Sequence, residues 1–171
     1  MNATRSPHQP HPAPAALCRI DTELGRITLA ATGIGLCGLW FEGQRHLPDL
    51  ARIPVREDHP LLNEAGAQLR QYFAGQRRAF DLPLDLSLGT RFQQGVWEAL
   101  RGIEFGSTTT YGTLAARLGR PSAVRAVAAA VGRNPVSVIV PCHRVLGADG
   151  ALTGYAGGLD RKHRLLEIES A

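Results

Sequence analysis

The sequence VIVPCHRV, residues 138–145, is the stretch from which the fold and the chemistry of this chain are predicted. Its first three residues are apolar and β-branched, which favours a short buried strand. Pro141 has no N–H to donate and would end that strand, so we expect Cys142 to emerge at its end. The next two residues, His143 and Arg144, are basic and favour the thiolate, the form in which sulfur attacks carbon. The stretch therefore predicts a nucleophilic cysteine held in place at the end of a short buried strand.

Two short helices are predicted just before this stretch. Thr110 is a candidate N-cap for a helix that Gly119 stops, and a second helix is predicted from Pro121 to Gly132. Two helices across a tight glycine turn are typical of a helix-turn-helix. The second helix is rich in alanine and carries almost no side chain that could read base edges, with Arg125 as its one long side chain. It suits contact with nucleic-acid shape and phosphates, but its alanines fit tight helix packing in a core equally well.

A glycine-rich loop and a final helix are predicted after the cysteine. The sequence LTGYAGG, residues 152–158, would let the backbone approach a ligand closely. The chain has no GxxxxGK[ST] pattern, which excludes a phosphate-binding P-loop here. From Leu159 to about Glu169 a helix would place Leu165, Leu166 and Ile168 inward and close the domain.

The amino-terminal part has a different pattern. Short strands are predicted at 17–22, 26–31 and 36–41, joined by glycine turns, and a helix is predicted from Pro60 to a stop at Gly75. The apolar face of this helix would contain Leu61, Leu62, Ala65, Leu69, Tyr72 and Phe73. Residues 80–86 alternate apolar with polar or proline residues, as in an edge strand. This part would form an α/β unit without a catalytic constellation.

Three regions are predicted along the chain: a disordered proline-rich tail over 1–16, an α/β domain over 17–87 and a second domain over 88–171. The second domain would begin with a helix that Thr90 caps and that ends near Gly102, in which Phe92 and Trp97 belong to the core.

Composition excludes several classes of protein. Of the 171 residues, 44% are hydrophobic and 20% are charged, so the chain can bury a core as one domain or two small ones. No apolar run approaches the ~20 residues of a membrane span, and the amino terminus lacks the apolar core of a secretory signal. The chain has three cysteines, Cys18, Cys37 and Cys142. An odd number argues for a reducing compartment, and we expect a cytoplasmic protein. Without CxxC or paired Cys/His spacing we expect no metal, and Cys18 and Cys37 would be core residues.

The formal net charge of +4 is unevenly distributed. No acidic residue lies between Glu104 and Asp149, whereas that interval contains five arginines, at positions 117, 120, 125, 133 and 144. Such a stretch indicates a polyanionic partner, although on charge alone an ordinary basic surface remains open.

Several motifs together resemble the O6-alkylguanine-DNA alkyltransferase family of the bacterial stand-alone type. The match covers about residues 17–169, and the segments that carry it are FQQGVW at 92–97, TYG at 110–112, RAV at 125–127, GRNP at 132–135, PCHRV at 141–145 and LTGYAGG at 152–158. The resemblance implies an α/β (α+β) fold, with a ribonuclease-H-like sheet-plus-helix domain followed by a mostly helical domain that contains the helix-turn-helix.

The resemblance also implies a mechanism. Cys142 is expected to attack the alkyl carbon on O6 of guanine and to keep the alkyl group, so that each molecule acts once. His143 would serve as its base through a bridging water, and Glu169 rather than Glu167 would polarise the imidazole. Tyr111 would donate a proton toward the leaving guanine. On this view the thiol can rest protonated until a base occupies the pocket.

Further residues are assigned by the same resemblance. Asn134 would hold the turn that presents the cysteine, and Arg144 would brace it. Lys162 would help to stabilise the site. The guanine would be bounded by Val145 and by the backbone of two loop residues, Tyr155 and Ala156, and Val131 would help to set the size of adduct admitted.

DNA binding is expected through the alanine-rich helix, which would lie in the minor groove of the duplex. Arg125 would fill the gap left by a flipped-out nucleotide. Other expected DNA contacts are Ala126, Ala128, Ala129, Arg133 and Arg117. No cofactor is implied. The partner would be double-stranded DNA carrying O6-alkylguanine, with O4-alkylthymine as a further substrate, and the protein would be a monomer with cooperative binding left open.

Three alternatives compete with this interpretation. A non-catalytic alkylated-base-binding protein of the alkyltransferase-like group would carry tryptophan where this chain has Cys142. A helix-turn-helix regulator is disfavoured by the alanine-rich second helix, and a cysteine hydrolase by the acid-free arginine stretch. The chain departs from many family members at 128–130, where alanines replace glycines.

Overall fold

A three-stranded antiparallel sheet forms the amino-terminal half in this computed structural model, which describes residues 13–170. Its strands are β1 (Ala16–Thr22), β2 (Gly25–Ala31) and β3 (Leu36–Phe41), in the order β1-β2-β3. The predicted strands and turns are confirmed here. Most of the predicted disordered tail lies outside the described residues, and its predicted last residue, Ala16, begins β1.

One face of the sheet is covered by helix α1 (Pro60–Phe73). The buried side of α1 matches the predicted apolar face and contributes Leu62, Ala65, Leu69 and Tyr72. The other face of the sheet buries Leu17, Ala30, Cys37 and Trp40 under coil residues that include Leu50 and Ile53. Cys18 and Cys37 are both buried, as predicted.

The predicted edge strand over 80–86 is wrong. That segment pairs with β3 only at an isolated bridge between Leu84 and Leu36. Two backbone bonds hold it, from Leu36 N to Pro83 O at 2.8 Å and from Asp85 N to Leu36 O at 2.9 Å. Because proline at 83 has no N–H to donate, the pairing does not extend along the segment.

The carboxyl-terminal half is mostly helical. Helix α2 (Arg91–Arg101) begins with a capping box between Thr90 and Gln93. Strand β4 (Thr109–Thr110) leads into α3 (Tyr111–Arg117), and α4 (Val124–Gly132) follows after a turn. Thr110 caps α3 as predicted, but α4 begins three residues later than predicted. The last helix is α5 (Leu159–Ser170).

The predicted strand before the cysteine is also wrong, because residues 137–140 form turns. Val138 has a φ of 71°, and the chain folds back through a 2.9 Å bond from Val140 N to Val136 O. Ser137, Val138 and Val140 are buried, and Ile139 N donates to Ser137 O at 2.9 Å, so local turn bonds replace part of the pairing that a strand would need from a neighbour. A 3-10 helix (Cys142–Arg144) and a short strand β5 (Val145–Leu146), parallel to β4, follow.

The two halves meet at β3. Leu39 N donates to Pro135 O at 2.8 Å, and Ser137 N donates to Leu39 O at 3.1 Å. One continuous hydrophobic core runs from the sheet and α1 through α2 and α4 to α5. The predicted mixed α/β class is therefore confirmed, and the sheet edge supports the segment before the cysteine. Among the described helices, none is long and apolar enough to cross a membrane.

Candidate active site

Asn134 holds the turn that presents the cysteine. Its Nδ2 donates to Val140 O at 2.7 Å and lies 3.1 Å from Sγ of Cys142, while its Oδ1 accepts from Val136 N at 3.0 Å. Asn134 and Cys142 are both almost completely buried. One amide side chain therefore fixes the turn backbone and donates to the sulfur at the same time.

Burial dominates the state of the sulfur. It raises the pKa of the Cys142 thiol to about 11, although the hydrogen bond from Asn134 and the charge of Lys162 act to lower it. The thiol is therefore protonated at neutral pH. The expectation that adjacent basic residues make a thiolate is wrong for the free protein, whereas a thiol that rests protonated agrees with the mechanism implied by the resemblance.

Glu169 accepts five hydrogen bonds from four residues, which come from three parts of the chain. Its Oε1 lies 2.6 Å from Oη of Tyr72, 2.8 Å from Nε2 of His143 and 2.8 Å from Nη2 of Arg144. Its Oε2 accepts from Nε of Arg144 at 2.8 Å and from Gly106 N at 3.2 Å. Burial acts to raise the pKa of this carboxyl, but the donors His143, Arg144 and Tyr72 hold it well below its usual range.

The imidazole of His143 is neutral and its tautomer is fixed. Burial lowers its pKa, and the charges of Arg144 and Lys162 lower it further against the opposing effect of Glu169. An ionised carboxylate can only accept, so Nε2 carries the hydrogen and Nδ1 carries the lone pair. Nδ1 is buried and forms no hydrogen bond to any group of residues 13–170. The ring is thus set to accept a proton at Nδ1.

Arg144 connects this carboxylate to the loop after α2. Besides its two bonds to Glu169, it donates from Nη1 to Ile103 O, and its guanidinium lies 5.9 Å from the ring centroid of Phe105. Glu167, the other acidic residue near the end of α5, is exposed and pairs with surface residues of its own helix. The structure therefore brings Glu169, and not Glu167, to the histidine.

Lys162 is fully buried and joins the strand after the cysteine to the glycine-rich loop. Its Nζ donates to Val145 O at 2.5 Å and to Thr153 O at 2.8 Å. Burial lowers its pKa to about 8, and the proximity of Cys142 opposes this shift. Lys162 is thus a cation close to the sulfur with two carbonyl partners.

Tyr111, the first residue of α3, contacts the glycine-rich loop. Its hydroxyl donates to Gly154 O at 3.1 Å, with Thr153 O at 3.3 Å. Burial raises the pKa of Tyr111. Of the two loop residues predicted to bound the guanine, Tyr155 is buried and Ala156 is half-buried. The loop is held from the amino-terminal half as well, because Arg45 N donates to Ala156 O at 3.0 Å.

The alanines of α4 divide between its two faces. The buried face contains Val127, Ala130 and Val131, and Nε1 of Trp97 donates to Ala130 O at 2.9 Å. The core-packing interpretation therefore applies to the buried face, and contact with nucleic acid stays a prediction for the exposed face. Most of the residues predicted to touch DNA are exposed, namely Arg125, Ala126, Ala129, Arg133 and Arg117, and Ala128 is half-buried.

Comparisons with known proteins match both halves of the chain. Residues 19–86 match the ribonuclease-like domain of 6-O-methylguanine DNA methyltransferase, and residues 91–171 match its DNA-binding domain. Together these matches span most of the sequence. The chain belongs to the 6-O-methylguanine DNA methyltransferase family.

Curated relatives in this family align over nearly their full length. The methylated-DNA--protein-cysteine methyltransferase of Mycobacterium tuberculosis strain H37Rv is 47% identical over 152 residues, which cover 89% of this chain and 90% of the relative. The protein of the same name from Methanosarcina acetivorans is 51% identical over 154 residues, covering 88% and 96%. The family resemblance stated from the motifs is confirmed.

Solved structures of methyltransferases from two organisms share the fold. The crystal structure of Mycobacterium tuberculosis OGT in complex with DNA is 45% identical, has a TM-score of 0.83, and aligns over 91% of this chain and 92% of that one. The methyltransferase of Pyrococcus kodakaraensis strain KOD1 is 23% identical, with a TM-score of 0.56 and coverage of 91% and 99%. At that identity the second match supports the fold alone.

Two contributors to this methyltransferase site were missed by sequence reasoning. Tyr72 was placed only on the core face of α1, and Gly106 was given no role, yet both donate to Glu169. A tyrosine at a core position signals that its hydroxyl needs a partner. The signal does not name that partner, because Tyr72 and Glu169 lie 97 positions apart. Within residues 13–170 no group of three or more His, Cys, Asp or Glu side chains is placed to hold a metal ion.

Proposed function

We propose that this chain repairs DNA by moving the alkyl group of O6-alkylguanine in a duplex to Sγ of Cys142. As a member of its family it is a DNA alkyltransferase of the methylated-DNA–protein-cysteine type. The observation that carries the proposal is the buried Cys142, with Asn134 on its sulfur and a neutral His143 held by Glu169. A nucleophile, a base and a residue that orients the base are the parts that a Cys-His site requires.

The transfer is an in-line displacement in which the Sγ–carbon bond forms and the carbon–O6 bond breaks. The thiol proton passes through a bridging water to Nδ1 of His143, while the electron pair of the broken bond goes to guanine. Guanine takes up a proton from the hydroxyl of Tyr111, and the proton on His143 returns to Tyr111 through solvent. The thiol hydrogen has then replaced the alkyl group on the base. The product is a thioether, so the protein is consumed in one turnover.

The pocket is built from residues that already share contacts. Lys162 ties Val145 to the loop at Thr153, and Tyr111 contacts the next loop residue. In the proposed complex Val145 and the backbone of Tyr155 and Ala156 bound the guanine. Val131, buried on α4, limits the size of the adduct. O4-alkylthymine is proposed as a second substrate of the same pocket.

DNA is bound by the exposed face of α4 in the minor groove. Small alanines permit close approach of the helix backbone, and Arg125 enters the base stack in place of the flipped nucleotide. Arg117 and Arg133 neutralise phosphates on either side of α4. These contacts read shape and charge and no base sequence, which suits a protein that must inspect any site. The protein is proposed to act as a monomer. A titration with DNA would measure whether several molecules bind cooperatively.

Labelled DNA tests this proposal. A duplex carrying O6-methylguanine with a labelled methyl group is mixed with the protein, and the labelled peptide is identified by mass. We expect the label on the peptide that contains Cys142, none on Cys142→Ala, and full transfer to the matched control Cys37→Ala, whose sulfur lies on the far face of the sheet. Label on another residue, or transfer that survives Cys142→Ala, would overturn the proposal.

A further inference from the structure

Tyr72 is the only one of the donors to Glu169 that comes from the amino-terminal half, among the residues that the structure describes. It lies on α1, is completely buried, and places its hydroxyl 2.6 Å from Oε1 of Glu169. The other donors, His143, Arg144 and Gly106, all follow α2 in the chain. The amino-terminal half thus reaches the carboxylate that orients the proposed base.

The tyrosine ring is held by other aromatic rings. Phe73, Phe80 and Phe105 lie with their centroids 5.6, 5.2 and 6.1 Å from that of Tyr72. Edge and tilted contacts of this kind fix the ring plane and so the direction of the hydroxyl. Burial and the negative charge of Glu169 raise the pKa of Tyr72 well above its usual range. The hydroxyl therefore stays protonated and donates.

The hydroxyl of Tyr72 and Nε2 of His143 share one acceptor atom, Oε1 of Glu169. A charge-assisted O–H···O⁻ bond of this length is strong, and it withdraws electron density from the oxygen that faces the imidazole. Nη2 of Arg144 also donates to Oε1, and the second oxygen accepts from Nε of Arg144 and from Gly106 N. The position and the basicity of Oε1 therefore depend on Tyr72.

We propose that Tyr72 is a positioning residue for alkyl transfer: its hydroxyl holds Oε1 of Glu169 against His143 and limits how strongly that oxygen stabilises the protonated ring. The inference rests on the proposed role of His143 as the base. It makes the amino-terminal half part of the reaction machinery, because a residue of α1 sets the proton affinity of a group beside the cysteine.

The direction of the effect follows from the charges around the ring. The titratable groups that interact with His143 and Glu169 are Tyr72 from α1, Arg144 from the 3-10 helix and Lys162 from α5. Cys142 and Tyr155 lie next to these groups, because Tyr155 interacts with both Cys142 and Tyr72. Glu169 accepts from Tyr72, His143 and Arg144. Only Glu169 is an anion among them at neutral pH. Removing the Tyr72 hydroxyl makes Oε1 a better acceptor, which favours protonated His143. The neutral ring needed for transfer is then present only at higher pH.

The test is the pH profile of single-turnover transfer in the full chain with Tyr72→Phe. We expect the acidic limb of the profile to move up by about 0.5–1 pH unit. This shift corresponds to only part of the free energy of one hydrogen bond to a charged group. Above that limb the rate should stay within about threefold of the parent, because Arg144 still holds Glu169. Leu69→Val, a change on the same buried face of α1 that removes no polar group, should leave the limb in place.

Two further measurements separate this role from a structural one. The imidazole pKa of His143, followed by NMR in free protein, should rise in Tyr72→Phe and not in Leu69→Val. In a Glu169→Gln background, Tyr72→Phe should produce no further shift, since the acceptor charge is already gone. An unshifted limb and an unchanged His143 pKa, or an equal loss of rate at every pH, would overturn the inference. Absence of transfer in the parent protein would instead overturn the proposed function.

Discussion

Arg144 and Glu169 form a two-pronged ion pair, with Nε 2.8 Å from Oε2 and Nη2 2.8 Å from Oε1. The side chains are only 8% and 1% exposed, so neither charge is solvated by bulk water. A planar guanidinium matched to both carboxylate oxygens is the geometry that makes a buried pair tolerable. The pair fixes the carboxylate that orients His143, and it joins the 3-10 helix that contains the cysteine to α5.

Removal of one partner should therefore cost stability. Arg144→Met should lower the free energy of unfolding by about 3–5 kcal/mol, because it leaves a buried carboxylate with three donors and no balancing cation. The exposed pair of Arg101 and Glu98 provides the matched control, and Arg101→Met should cost less than about 1 kcal/mol. Denaturant unfolding of both variants checks this, and equal losses would contradict the structural role of Arg144.

The amide of Asn134 has effects on both fold and reactivity. Asn134→Ala removes the partners of Val136 N and Val140 O and should destabilise the protein by about 1–3 kcal/mol. It also removes a donor to Sγ of Cys142, so the pKa of the thiol should rise further. A rise of about one unit lowers the thiolate fraction about tenfold, so transfer should slow by tenfold or more. Thiol titration of folded protein and single-turnover rates measure the two effects, and an unchanged thiol pKa would exclude the contact to sulfur.

The protonated thiol gives a prediction for pH. With the pKa of Cys142 at about 11, roughly one thiol in ten thousand is ionised at pH 7 in the free protein. Its reaction with iodoacetamide should accelerate about tenfold per pH unit between pH 7 and 10, because ionisation follows pH below the pKa. A rate that levels off near pH 7 would show a thiolate at rest. Denatured protein, in which the thiol is exposed, supplies the reference curve.

Arg125 should matter for duplex DNA and not for the chemistry. It is exposed on α4 and forms no part of the hydrogen bonds around Cys142. Arg125→Ala should slow repair in a duplex by tenfold or more, while transfer from free O6-benzylguanine should change less than about twofold, because only the duplex requires base flipping. Arg70→Ala on α1 is the control for a lost surface charge. Equal losses on both substrates would remove Arg125 from the flipping step.

Sequence patterns predicted the parts of this protein that rest on local chemistry. The N-cap residues Thr90 and Thr110 and the stops at Gly102 and Gly119 predicted helix ends well, because capping acts within a few residues. The motif around Cys142 predicted a cysteine nucleophile, whereas the other residues of the site were expected only from the family resemblance. The relation of Glu169 to His143 came from the family resemblance, since no local rule connects positions 26 apart.

The errors arose where distant contacts decide the backbone. Residues 138–140 have strand propensity, but Asn134 and Val136 provide the hydrogen bonds of a turn instead of a neighbouring strand. The charge state of Cys142 was misjudged from its neighbours because burial outweighs adjacency in sequence. Tyr72 belongs to the site because it hydrogen-bonds to Glu169 in the other half of the chain. The spacing of apolar residues on α1 does not reveal that contact.

The central claim is that one cysteine accepts one alkyl group and keeps it. The most direct measurement counts guanines restored per protein molecule when a duplex with O6-methylguanine is present in large excess. The account predicts that repair stops at one restored guanine per molecule, with the whole protein population heavier by one methyl group in place of a hydrogen. Repair that continues beyond one equivalent, or restored guanine without a gain in protein mass, would contradict it.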